Sequence, residues 1–335
     1  MRHGKKGLRH VRKTGIILLC FVCVFIFYLT AVSAEKVFHS DWQLPGDSGQ
    51  KEAKYRLVLI TQELETPFWD KVGQGAIEQA KKEGASLEVW GSYGHDQEDF
   101  LKKVEIAIQS KVDGIIVQGL DTEKFKTLAK VKAAFYGIPI ITVANDVPME
   151  ESLRRTYVGS DQYRAGTMIA RQLLADMGLS GTVVLFGNTR EEYFQQQRLK
   201  GMQDVLKNYP KVHTIFAETN ESKEEIIAST QDLLNKNPDV NAFIAVNANI
   251  TGAMVQEIGR RYQVEPYFIY TFDDGADSLS LLKQGKLDGM IEQSPDMMGK
   301  KSVSEMMQWL RGEKVPLDMK GYHTDIRIVK AKDVQ

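Results

Sequence analysis

Cysteine is nearly absent from this 335-residue chain: Cys20 and Cys23 both fall in one apolar run at residues 16–32. Everything after residue 34 is therefore without a disulfide framework, a thiolate metal site or a cysteine nucleophile. Proline is scarce, at 9 residues, and 43% hydrophobic against 26% charged content excludes a collagen-like or disordered polypeptide. Four histidines follow residue 34 (His39, His95, His213 and His323), with no ligand-like spacing among them. No GxxxxGKS/T phosphate loop, HExxH or GxSxG motif occurs, and Gly73-Gln74-Gly75 lacks the third glycine of a dinucleotide loop. No nucleophile–base pair is visible, so the chain reads as a non-enzyme without metal or cofactor. The formal net charge is -1, but six cations and no acid lie in residues 1–34. The remainder is acidic, which argues against a nucleic-acid partner.

Those six cations, Arg2, Lys5, Lys6, Arg9, Arg12 and Lys13, precede IILLCFVCVFIFYLTAV. As a helix this run would reach about 26 Å, the lower limit for spanning a bilayer. The basic flank stays cytoplasmic and the remainder is exported. That holds for a signal cleaved after Val32-Ser33-Ala34 and for a retained anchor. The run is longer than the roughly 7–15 residues usual for a signal's apolar region. It is also bulky at its outer end, with Phe21, Phe25, Phe27 and Tyr28, so retention as an N-terminal anchor is the expectation. Bulky residues before both cysteines argue against lipid modification. Residues 35–54 are polar, with Pro45, Gly46 and Gly49, and read as a linker. Phe38 and Trp42 within it either pack on the domain's flank or meet a membrane partner.

Beyond the linker, strand and helix patterns alternate. Residues 55–61 (YRLVLIT) form a continuous apolar run, and helical spacing extends from Pro67 to Gly84. Strand-like 87–90, helix-like 97–110, strand-like 114–118 (GIIVQ), helix-like 122–136 and strand-like 139–143 follow. The rhythm then restarts. Helical patterns at 161–177, 190–207, 222–236 and 252–262 separate strand patterns at 182–186, 213–217, 242–246 and 268–272. Continuous rather than alternating apolar strands imply parallel sheets covered by helices on both faces. The fold class is α/β, with two successive open parallel-sheet, Rossmann-like lobes. Ligands of such sheets bind beyond the strands' carboxyl ends. The loops after Ile60, Val143, Phe186, Val246 and Phe272 are thus the expected site, in a cleft between the lobes.

Eight short motifs carry a resemblance. They are Thr66-Pro67-Phe68-Trp69, Val112-Asp113-Gly114-Ile115-Ile116, Ile138-Pro139-Ile140-Ile141-Thr142 and Tyr157-Val158-Gly159-Ser160-Asp161, then Arg198-Leu199-Lys200-Gly201, Asn237-Pro238-Asp239-Val240, Thr271-Phe272-Asp273 and Gln293-Ser294-Pro295-Asp296. In this order and spacing the chain resembles the ribose-type family of bacterial periplasmic sugar-binding proteins over residues 55–330. Lactose-repressor-type regulators share that fold, but carry a DNA-binding helix-turn-helix where this chain has its apolar segment. The resemblance implies the type I periplasmic binding protein fold. Residues 55–160 plus 294–324 would form the N-terminal lobe, and 161–293 plus 325–335 the C-terminal lobe. These follow a signal or anchor at 1–34 and the linker at 35–54. A three-strand hinge is expected near Ser160-Asp161, Gln293-Ser294 and Thr324-Asp325.

The same resemblance implies which residues would meet a sugar. Phe68 and Trp69 match the family's aromatic pair, with one expected in the core and the other against the ligand. Arg198 matches the arginine whose fork of donors holds neighbouring hydroxyls. Asn247 matches a ligand amide, its alternative being a helix N-cap. Asp273 would accept two hydroxyl hydrogens. Gln293 matches a ligand-binding glutamine, its alternative being a hinge hydrogen bond. One departure stands out: where the family has an acidic residue followed by arginine, this chain has Ala144-Asn145-Asp146. Either Asn145 takes over or Asp146 turns inward, which argues against ribose itself and for another neutral polyol. Gln62 changes the same rim, with Thr66 beside it, and Glu221 is a further candidate in the second lobe. The implied protein is a monomeric, extracytoplasmic receptor for a neutral aldose, serving the permease of an ABC importer. The alternative is an anchored sensor reporting to a histidine kinase, and a sugar-acting enzyme is the third possibility.

Overall fold

Aliphatic runs that cannot face water on either side set the strands. The computed structural model describes residues 26, 28–30, 53–94, 96–188, 192–220, 222–261, 267–272 and 276–334. Ala53–Gln335 forms one unit and Met1–Glu52 another. Of the N-terminal apolar segment, residues 26 and 28–30 are described, as exposed helix, and the rest lies outside the described residues.

Strand β1 (Arg56–Thr61) is buried from Leu57 onward. It pairs in parallel with β2 (Ser86–Gly91) and β3 (Gly114–Gln118). Next come β4 (Ile140–Val143) and β5 (Thr156–Gly159), and the order across this sheet is β2-β1-β3-β4-β5. The second half repeats the scheme with β6 (Gly181–Asn188), β7 (Val212–Thr219), β8 (Val240–Ala245), β9 (Phe268–Phe272) and β10 (Gly289–Glu292). Its order is β7-β6-β8-β9-β10. Late in the chain, β11 (Tyr322–His323) adds to the first sheet beside β5, and β12 (Arg327–Val329) adds to the second beside β10. The chain thus crosses between the sheets three times, after Gly159, after Glu292 and after His323.

Helices cover both faces of each sheet, because the strands are apolar on both. In the first lobe α1 (Pro67–Glu83) packs on one face, with Trp69, Val72 and Ala76 in its core. The opposite face is covered by α2 (Gln97–Gln109) and α3 (Glu123–Thr127), through Phe100, Val104 and Phe125. The second lobe carries α5 (Gln162–Met177), α6 (Tyr193–Leu206), α7 (Lys223–Lys236), α8 (Ala248–Arg261) and α9 (Ala276–Lys283), while α4 (Met149–Ser152) is a single turn in the first. Finally α10 (Pro295–Leu310) returns to pack on α1. That contact is close: a Cβ on Gly299 would stand 2.0 Å from the Val72 carbonyl oxygen. The same device recurs in the second lobe. There α5 and α6 meet at Gly166 and Gly201, where a Cβ would fall 2.1 Å from Arg198 O and 2.2 Å from Tyr163 O.

Candidate functional site

Parallel strands bring their carboxyl ends, and the N-termini of the helices that follow, to one edge of each sheet. The two edges enclose a cavity of about 1010 Å³. Its wall from the first lobe comes from residues after β1 (Gln62, Thr66, Phe68, Trp69), the end of β3 (Gln118) and the turn after β4 (Ala144, Asn145). The second lobe contributes Asn188, Arg198, Asn220 and Asn247, and Gln293 enters from the crossing after β10.

Each wall is built by local capping and pairing. Thr66 caps α1, its hydroxyl accepting from Trp69 N at 3.3 Å and donating to Glu63 O at 3.1 Å. This cap orients the two aromatic rings, which meet edge to face with centroids 5.6 Å apart. Trp69 is buried in the lobe core and Phe68 half-buried against it, and both line the cavity. Gln118 is almost fully buried, and its Oε1 accepts from Thr61 Oγ1 and from Gln62 N, both at 2.8 Å. Its remaining polar group is an amide donor.

Across the cavity, Arg198 is buried to 2% exposure. Its Nε donates to Gln162 Oε1 and its Nη1 to Val246 O, both at 2.8 Å. The guanidinium lies over the rings of Phe272 and Phe194, at 4.4 and 4.9 Å from their centroids. Aromatic faces and fixed acceptors hold its fork in one orientation. Gln162 Nε2 lies 3.5 Å from Gln293 Oε1, which connects the arginine to the second crossing. Asn247 precedes α8, and its Oδ1 accepts from Asn249 N at 3.0 Å, so it caps that helix while bordering the cavity.

The turn after β4 takes an unusual form. Ala144 has φ +63, a left-handed conformation rare for a residue with a side chain. Asn145 N donates back to Val143 O at 2.7 Å, and Ala144 N to Val158 O at 3.0 Å. The buried Tyr157 hydroxyl lies 2.9 Å from Ala144 O and 3.0 Å from Ser160 O, sharing its proton between them. Burial pushes this hydroxyl far above its ordinary pKa, so it stays a donor. Of the two alternatives at this turn, Asn145 lines the cavity and Asp146 turns away. The Asp146 carboxylate takes a bidentate pair from Arg154 Nε and Nη2 at 2.6 Å and a bond from Thr142 Oγ1 at 2.6 Å. Burial raises its pKa while Arg154 and Thr142 pull it back down.

Asp273 and Glu221, expected to face a ligand, lie outside the described residues. Gln118, which lines the cavity, and Gln162, which holds the cavity-lining Arg198, went unread in the sequence. Gln118 ends an apolar strand, so the carboxyl-end rule could have found it. Gln162 opens a helix just after a crossing, and no pattern marks it. Among the described residues no group of His, Cys, Asp or Glu could hold a metal ion, and no helix is long and apolar enough to cross a membrane.

Residues 57–314 match the periplasmic binding protein domain family. The chain belongs to that family, in its type I sugar-binding branch. The ribose import binding protein RbsB of Bacillus subtilis (strain 168) is 24% identical over 291 residues, covering 87% of this chain and 92% of its own. Among solved structures, the glucose-galactose binding protein GanP from Geobacillus stearothermophilus superposes with a TM-score of 0.78 at 28% identity, over 84% of this chain and 99% of GanP. The XylFII-LytSN complex gives a TM-score of 0.73 at 26% identity, over 84% and 99%. As a member of the periplasmic binding protein family, the chain has an extracytoplasmic place of action.

Proposed function

We propose that this protein is an extracytoplasmic receptor that captures a neutral aldose of five or six carbons and delivers it to an ABC-type importer. The observation that carries this reading is the cavity itself. Two aromatic rings, one buried guanidinium and several amides converge there from both sheets. Aromatic faces suit sugar C–H patches, while amides and a fixed guanidinium fork suit paired hydroxyls. No single lobe holds the whole set. A sugar that touches both lobes stabilises the closed form, so binding shifts the population toward closure about the three crossings. The names of the relatives, ribose import and glucose-galactose binding proteins, agree with this class of ligand.

The second reading is an anchored sensor presenting the bound state to a histidine kinase. It draws on the basic and bulky apolar N-terminal segment, and on a structural neighbour solved as a two-protein complex. Closure serves either output. The ligand class is tested by calorimetric titration with neutral monosaccharides, phosphosugars and amino acids. Tight binding of an amino acid, with no heat from any sugar, would refute the receptor reading. The output is tested by co-purification of the full chain from its own membranes, where a permease or a kinase should follow it.

A further inference from the structure

We infer that the amino edge of the first sheet, opposite the cavity, rests on the anionic lipid surface of the membrane that holds the N-terminal segment. This rests on the anchored reading, whichever output the receptor serves. It adds where the anchored domain sits and which way its cavity points.

Strands β1, β3 and β4 run in parallel, so the residues just before them share one edge. There Lys111–Asp113, Tyr136–Pro139 and the end of α10 (Trp309, Leu310) line an open groove of about 480 Å³. Phe135, beside it, is 81% exposed, the most exposed large apolar side chain among the described residues. Its ring meets that of Tyr136 edge to face, with centroids 5.1 Å apart. Val131, one turn earlier, is 59% exposed. On the far wall the Arg155 guanidinium lies 4.7 Å from the centroid of the Trp309 ring.

Charge and chain path select a bilayer as the occupant. Lys54 and Lys111 are exposed, and among the described residues neither is paired with an acid. The acids nearby are already engaged. Asp113 accepts from Arg56 N at 2.7 Å, Glu83 and Glu313 lie 2.7 and 3.9 Å from Arg311, and Glu105 pairs with Lys132. Exposed rings beside unpaired cations suit a membrane–water interface, where aromatics settle at headgroup level. Each cation there favours anionic lipid by about fivefold. The chain also enters the domain at this edge, since residue 53 leads into β1 and Arg56 Nη2 donates to Lys111 O at 3.1 Å. Residues 35–54 thus connect the apolar run at 16–32 to this edge and not to the cavity edge. Resting on it, the domain turns its cavity away from the bilayer, open to sugar outside.

The test places the full chain, with Cys20→Ala and Cys23→Ala, in nanodiscs of phosphatidylglycerol and phosphatidylcholine. A fluorophore is attached at Ala134→Cys, next to Phe135, or at Glu98→Cys, exposed in the first turn of α2 at the cavity edge. With lipid spin-labelled at the headgroup, position 134 should be quenched at least about threefold more strongly than position 98. The difference should fall in about 0.5 M salt, where screening acts within a few Å. Phe135→Ser and Lys111→Glu should each reduce it at least about twofold, with thermal melts and sugar titrations unchanged. Equal quenching at the two positions, in a chain that stays with the discs, would overturn this inference alone. A label at 134 shielded from an aqueous quencher in native membranes, yet not quenched in lipid discs, would assign the edge to a protein partner and overturn the lipid assignment. A chain that leaves the discs would overturn the anchored reading and this inference together.

Discussion

Gln162 holds Arg198: the arginine Nε donates to the glutamine Oε1 at 2.8 Å, both side chains being buried. Arg198 sits on α6, whereas Gln162 is the first residue of α5, directly after a crossing between lobes. Through Gln162 Nε2 the contact extends to Gln293 Oε1 at the next crossing. The orientation of the guanidinium is therefore coupled to two of the three crossings, the segments that would bend in the proposed closure.

Gln162→Leu removes the Nε acceptor while keeping side-chain bulk. A hydrogen bond to a charged group contributes about 1.5–3 kcal/mol, so ligand affinity should fall by roughly 10- to 100-fold. Gln162→Glu keeps an acceptor at the same reach and should retain most of the affinity. Calorimetry on the three proteins checks this, with thermal melts alongside. Equal losses in both variants would show that Gln162 only fills space.

Gly166→Ala and Gly259→Ala make the same chemical change inside two helices, with opposite outcomes expected. At Gly166 the new methyl would stand 2.1 Å from Arg198 O, so α5 and α6 must separate. Overpacking of this kind costs about 1–3 kcal/mol. It also displaces the arginine, so affinity should drop with stability. Around Gly259 nothing lies within 4 Å, and alanine there should stabilise by roughly 0.5–1 kcal/mol through helix propensity. Urea unfolding of both variants measures the two signs.

Much of the fold is legible because a strand buried on both faces leaves a continuous apolar run. The segments 114–118 and 268–272 coincide with β3 and β9, since Gly, Asp and Pro punctuation bounds them. Short strands such as β11, two residues long, carry no pattern, and only pairing with β5 makes them strands. The cavity wall is legible where one residue's chemistry and place in the chain suffice, as at Phe68, Trp69 or Arg198. Choosing between Asn145 and Asp146 requires knowing that Arg154, eight residues on, folds back to the carboxylate. Linear spacing does not encode that return, because α4 and a left-handed Leu153 lie between them. Gln162 is hidden for the same reason, its partner Arg198 lying 36 positions away.

Acid should loosen the clasp between α1 and α10. Glu78 pairs with Lys300 at 2.8 Å and Lys82 at 2.7 Å, and these bonds lower its pKa from 4.5 to about 2. A carboxylate whose pKa is depressed on folding contributes stability above its unfolded value, lost as pH falls toward the folded one. Glu78→Gln should therefore melt below the unaltered protein at pH 6, and the gap should close between pH values of about 4.5 and 2. The side chain is half exposed, so the effect is small and shrinks in salt. A gap independent of pH would mean that the ion pairs contribute nothing.

Neighbouring residues Asn145 and Asp146 should separate binding from folding. Asp146 does not line the cavity, and its carboxylate is the bidentate partner of an arginine only 4% exposed. Asp146→Ala leaves that guanidinium buried without its counter-charge, a loss of about 3–5 kcal/mol of stability. Sugar affinity of the folded fraction should stay within about twofold, since no ligand contact is removed. Asn145→Ala does the reverse. Its side chain borders the cavity, and its backbone bonds to Val143 and Gly119 survive the change. Stability should move by less than about 0.5 kcal/mol, as for an ordinary substitution away from the core. Loss of one amide contact, worth about 0.5–1.5 kcal/mol, should weaken sugar binding by roughly 2- to 13-fold. Urea unfolding without ligand and calorimetry with it give both numbers for both variants. A strong affinity loss in Asp146→Ala at full stability would mean that the carboxylate turns to the sugar on closure, and that Arg154 holds it only while the cleft is open.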